Sequence, residues 1–247
     1  LNQRAIYMPN EIFSDLASSQ IRNSRHRAFS YSYLYFVSYL YRYCEYYKKN
    51  KMTQLEIKKQ LGISEKEKRV DYLIKKDGIL DKMGYTLTTT NYPLSWSIGK
   101  EECLQFYTVD EYNKSNMIIE NTRNFKVKYP IKCFYRTVES KNRKVLDGTY
   151  FETSNTHRID HNKFIVIMKE NDLGVMGLFI FGYIKMMTDM YKNYQVPTRT
   201  LSAKLGISNQ TLNMYLKKMS SNDVNLIKIK RKRFIGKGGE ANEYTID

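Results

Sequence analysis

The sequence predicts an α+β chain built twice, from two helical units that each end in a β-hairpin, with a β-rich connector between them. Three observations predict it. The phrase Leu61-Gly62-Ile63-Ser64 returns as Leu205-Gly206-Ile207-Ser208. A long apolar or aromatic helical pattern precedes each copy, and a Lys-bearing helical pattern follows each. Beyond each lie short strand-like runs separated by Gly or Pro. Within the phrase, Leu closes a short helix, Gly permits a tight turn, Ile fills the core and Ser caps the next helix. Ile57 stands four residues before Leu61, as Leu201 does before Leu205. A phrase that recurs with its surroundings marks an internally repeated architecture.

Residues 1–28 read as a polar, basic N-terminal arm that ends in Arg22, Arg25, His26 and Arg27. Asn10 and Ser14 are candidate caps for short helical turns. A phosphate-tracking arm and a solvated lead-in are both open. Residues 29–99 form the first unit. Tyr31, Tyr35, Tyr39, Tyr43 and Tyr47 recur at four-residue spacing, with Phe36 and Leu40 beside them, as one flank of a long helix. Such a helix is either a core helix with its hydroxyls at solvent or also a subunit interface. The breadth of its aromatic cover favours a homodimer. Thr53 caps a short helix over 54–60. Ser64 caps the next, over 65–76, with Glu67 as its capping-box partner. Val70, Leu73 and Ile74 form the buried stripe, and Asp77-Gly78 stops the helix. Strands are expected at 79–80, 85–90 and 94–98.

Residues 100–160 read as the β-rich connector. Strands are expected at 106–109, 125–127, 131–135 and 148–151, with a polar turn at 141–144. Residues 161–247 form the second unit. A helix opens at 164–168, and Leu178, Phe181, Ile184, Met187 and Tyr191 make a helical stripe. Pro197 sits at the edge of a new helix, which Thr198 or Thr200 caps. Ser208 caps the helix over 209–219. A strand at 226–234, a turn at 236–239 and a return strand at 243–246 complete the unit.

The chain has 247 residues, enough for two small domains with their own cores. Its 41 Lys and Arg against 25 Asp and Glu give a net charge of +16. That excess points to a polyanionic partner, above all nucleic acid, with solubility as the plain alternative. Cys44, Cys103 and Cys133 are too scattered for a zinc site or a disulfide framework, so a reducing cytoplasm is expected. No basic-then-apolar leader pattern opens the chain, though Leu1 leaves room for a preceding segment. The most apolar stretch, 173–184, is shorter than the ~20 residues that span a bilayer, so no membrane partner is expected.

The second unit carries the best candidate readers. Asn209, Gln210, Thr211 and Asn213 follow the Ser208 cap, where helix-turn-helix proteins meet base edges. Asn and Gln pair bidentately with adenine, and Thr touches the thymine methyl. Lys217 and Lys218 are candidate phosphate contacts. So are Lys228, Lys230, Arg231, Lys232 and Arg233, a basic run that continues to Lys237 without an acid. Strand alternation sets Lys228, Lys230 and Lys232 opposite Ile227 and Ile229. Such a hairpin can follow the backbone or enter the minor groove. In the first unit, Lys66, Arg69 and Lys75 are candidate phosphate contacts, which position without specifying. Glu65, Glu67 and Asp71 oppose close approach there.

Catalytic readings are weak. His157 and His161 are spaced like some metal ligands but lack a matching Cys or Glu-His frame. Gly236-Lys237-Gly238-Gly239 lacks the spacing of a phosphate loop, and no nucleophile elbow or carboxylate pair stands out. No enzyme activity, metal or cofactor is expected.

Helices followed by a hairpin, over 52–98 and again over 164–246, resemble the winged helix-turn-helix superfamily. The resemblance rests on the two Leu-Gly-Ile-Ser phrases, the helices after them and the basic hairpin. It implies double-stranded DNA as partner. The tandem arrangement is also similar to two-winged-helix initiators of plasmid replication, which implies origin repeats as ligand and a dimer–monomer switch. The preferred expectation is a sequence-specific transcription regulator. A plasmid or phage replication initiator is the alternative, and a winged-helix adaptor that binds protein is the alternative of another class.

Overall fold

The computed structural model describes residues 4–47, 51–99, 104–114, 124–143, 146, 148, 152–170, 172–192, 194–232 and 241–246. The fold is α+β, as the sequence predicts. The first half runs β1 (Ala5–Pro9), α1 (Ile12–Ser18), α2 (Ser24–Arg42), α3 (Gln54–Gln60), α4 (Asp71–Ile74), α5 (Ile79–Lys82), β2 (Leu87–Thr89) and β3 (Pro93–Ile98). The middle adds β4 (Leu104–Thr108), α6 (Val109–Lys114), β5 (Val127–Tyr129), α7 (Ile131–Phe134), α8 (Val138–Arg143) and β6 (Thr156–Asp160). The last part is α9 (His161–Lys169), α10 (Gly174–Met190), β7 (Tyr194–Val196), α11 (Thr198–Leu205), α12 (Asn209–Met219), β8 (Lys228–Lys232) and β9 (Ala241–Thr245).

One continuous core runs from Ile6 to Tyr244 and has α2 and α10 at its centre. The two helices approach closely because Gly182 lacks a side chain. A Cβ there would stand 2.0 Å from Tyr31 Oη. Tyr31, Tyr33 and Tyr35 are fully buried. This corrects the expectation that the aromatic helix forms a dimer interface. Its cover is too wide for one small unit, but α9, α10 and β6 of the same chain lie on it, as Tyr35 against Phe164 and Tyr31 against Phe179 show.

The basic arm is corrected too. Residues 5–9 form β1, which pairs antiparallel with β6 in the register Ile6↔Ile159. Ile6 and Met8 alternate into the core, and Ile12 and Leu16 follow at helical spacing. Helix α2 starts at Ser24 and not at residue 29, because Asn23 Oδ1 accepts from Arg25 N at 2.8 Å.

The expected connector is not a separate element. Its strand β5 pairs with β2, β4 with β3, and β6 with β1. Residues 131–135 hold α7 in place of a strand, and the expected turn at 141–144 falls largely in α8. Of the expected strand at 148–151, residues 149–151 lie outside the described residues. Residues 79–80 begin α5 and are not a strand.

The helix expected over 65–76 shrinks to α4. Side chains take the bonds that a helix start needs. Ser64 Oγ does make a cap bond, from Lys66 N at 3.3 Å, but Glu67 Oε1 takes Arg69 N at 2.8 Å. Buried Lys58 donates to the Glu67 carbonyl at 2.9 Å and pairs with Asp71. Local side-chain bonds of this kind compete with helix formation. The first copy of the repeat therefore has a turn but no long helix after it.

The second copy keeps its helix. Gly206 is left-handed at φ 66°, and Ser208 caps α12. Neither Thr198 nor Thr200 caps α11. Pro197 holds that position, and Thr198 Oγ1 accepts from Asn242 Nδ2 at 3.0 Å. Strands β7, β9 and β8 then form a three-stranded antiparallel sheet in that order. The turn expected at 236–239 lies outside the described residues.

Candidate nucleic-acid interface

Helix α12 is set by its sequence. Ser208 Oγ accepts from Thr211 N at 3.1 Å, which closes the first turn. Leu212, Leu216 and Met219 recur at helical spacing and are buried against the core. That stripe leaves Asn209, Gln210, Asn213 and Lys217 exposed. Asn213 and Lys217 stand one turn apart on the same face.

Strand β8 carries the second wall. Ile227 is buried and Ile229 half-buried, while Lys228 and Lys230 are exposed on the opposite face. The expected alternation holds over these residues. Arg231 shares the Ile229 face and pairs in register with Asn242 of β9. Asn213, Lys217, Arg231 and Asn242 meet around a cleft of about 380 Å³ between α12 and the sheet. The cleft thus combines two cations with two amide side chains. Asn242 carried no signal in the sequence, because only the pairing of β9 with β7 and β8 brings it beside α12.

The other candidates are placed differently. Thr211 is half-buried, and its hydroxyl lies 2.8 Å from Ser208 Oγ, so the cap engages it. Lys218 pairs with Glu170 at 3.0 Å, and that bond raises the lysine pKa. The side chain of Lys232 and the whole of Arg233 and Lys237 lie outside the described residues. In the first half, Arg69 is bound by Glu67 at 2.5 Å. The same guanidinium pulls the Glu67 carboxyl down to about 2. Lys66 and Lys75 are exposed but line neither this cleft nor the groove on the other flank of α12.

His157 and His161 do not converge. His157 Nε2 faces Tyr31 Oη at 2.7 Å, and Nδ1 faces Asn10 Oδ1 at 2.9 Å. The His161 ring stacks on Tyr39 at 3.8 Å. Among the described residues, no group of three or more His, Cys, Asp or Glu could hold a metal ion. No helix among them is long and apolar enough to cross a membrane. No family model matches the chain, nor does any curated protein or solved structure.

Proposed function

We propose that this chain is a sequence-specific double-stranded DNA-binding protein of regulatory function, with one winged helix-turn-helix unit over 174–246. In this reading α10, α11 and α12 are its three helices and β8–β9 its wing. Helix α12 enters the major groove with Asn209, Gln210 and Asn213 toward the base edges. Lys217 and Arg231 meet flanking phosphates.

The observation that supports this best is the cleft between α12 and the sheet. It sets Asn213 of the helix beside Arg231 and Asn242 of the hairpin. A protein-binding adaptor needs neither amide readers nor cations around such a cleft. The net charge of +16 supplies long-range attraction to a duplex. Among the described residues this proposal has one reading helix, since α4 spans four residues. The first half acts as the scaffold that holds α10 and α12.

Selection of bound duplexes from a random library tests the reading. A preferred site is expected, with Asn213→Ala relaxing preference at one base position by ~1–3 kcal/mol. Recovery of no preferred site refutes it.

A further inference from the structure

A second concavity, of about 620 Å³, lies on the flank of α12 opposite the cleft. Its size falls within the roughly 300–1,000 Å³ of small-molecule sites. Phe29 of α2, Leu61 of the first repeat phrase and Leu173 ahead of α10 give it a buried apolar floor. Met214, which is 57% exposed, and Tyr215 form its α12 wall.

Among the described residues, the rim carries one unbalanced charge. Two acids line the groove, and each has its own cation: Glu67 is held by Arg69 at 2.5 Å and Glu170 by Lys218 at 3.0 Å. Arg25 lines it as well, is exposed, and makes no ion pair among the described residues. Its charge reaches the wall, since it opposes the rise that burial, and to a smaller extent Asp172, imposes on the Tyr215 hydroxyl.

We propose that this groove binds a small amphiphilic anion, with an apolar body on Phe29, Leu61 and Leu173 and a carboxylate-like group at Arg25. The apolar floor takes the body out of water, and the uncompensated guanidinium selects a single negative charge. The occupant lies against Thr211 and Met214, so it shares α12 with the duplex and weakens DNA binding. That last consequence rests on the proposed DNA reading; binding in the groove does not.

Sodium laurate below its micelle concentration is a suitable probe, titrated calorimetrically into the full chain without DNA. Saturable one-to-one binding is expected. Arg25→Glu and Met214→Glu should each weaken it by at least about tenfold. Both positions are exposed, and circular dichroism checks that the variants fold. Lys141→Glu on α8, away from the groove, should bind as the wild type does. No saturable heat up to millimolar laurate, or wild-type affinity in both groove variants, overturns the site. A second arm measures duplex affinity with and without laurate. Unchanged affinity at saturating laurate overturns the coupling to α12. A protein that binds laurate but no duplex leaves the groove standing and removes the DNA reading alone.

Discussion

Tyr31 Oη lies 2.7 Å from His157 Nε2 at the centre of the core, which ties α2 to β6. Asn10 Oδ1 at 2.9 Å accepts from Nδ1–H, so Nε2 is the acceptor for the tyrosine hydroxyl. Asn10 Nδ2 then donates to Asn155 Oδ1 at 3.3 Å. A polar chain that starts in the core and reaches the surface at Asn155 thereby joins the N-terminal segment to the end of the middle region, and each ring nitrogen has a partner. Tyr31→Phe leaves His157 Nε2 without its donor. A loss of about 1–3 kcal/mol is expected in urea unfolding.

Burial pushes His157 from its ordinary 6.5 down to about 3, and His161 to about 4. The folded state therefore keeps both rings neutral where the unfolded chain takes up protons. Stability from this source is complete above pH 6.5 and falls as pH drops toward 3 to 4. Each histidine contributes a slope of up to about 1.4 kcal/mol per pH unit. His157→Gln should flatten the slope between pH 6 and 4 without removing the part due to His161. An unchanged slope in that variant counts against the assignment.

Gly182→Ala sets a methyl where Tyr31 Oη now lies, at 2.0 Å. The ring is enclosed and has no free direction in which to move, so a loss of about 1–3 kcal/mol is expected. Tyr31→Phe removes the nearest atom. The double variant should thus lose less than the two single losses combined, which a double-mutant cycle measures.

Lys128 Nζ donates to both carboxylate oxygens of Asp81 at 2.7 Å and to the Lys75 carbonyl at 3.0 Å. Desolvation lowers the lysine pKa while Asp81 holds it up. Asp81→Ala strands this buried cation, at an expected cost of about 3–5 kcal/mol. Joint replacement by Lys128→Met and Asp81→Leu should cost less than Asp81→Ala alone. Chemical denaturation of the variants decides.

The DNA reading separates two neighbouring lysines. Lys217 opens onto the cleft, whereas Lys218 is paired with Glu170. Lys217→Ala should weaken all duplexes alike and reduce the slope of log affinity against log salt by about 0.9. Lys218→Ala should change that slope much less. Equal effects at both positions would show that the ion pair opens on binding.

The second half was legible because its signals are local. The Ser208 cap, the Leu212 and Leu216 stripe and left-handed Gly206 lie within a few residues of one another and set α12 without distant help. The alternation of Ile227 and Ile229 with Lys228 and Lys230 likewise placed the two faces of β8. The first repeat carried similar signals and reached a different end, because Lys58, Glu67 and Arg69 bond within the turn and leave only α4. Residues 5–9 looked like an arm because their partner strand begins at Thr156, far along the chain. The tyrosines of α2 looked like surplus surface because their cover comes from α9 and α10. By itself, then, the sequence determined the charge, the α+β class and the helices that Thr53 and Ser208 cap, since propensity and capping act over a single turn. The tertiary structure decided what the N-terminus pairs with, what buries α2 and which side chains line the cleft beside α12. Those depend on contacts between residues remote in the chain, which no local pattern encodes.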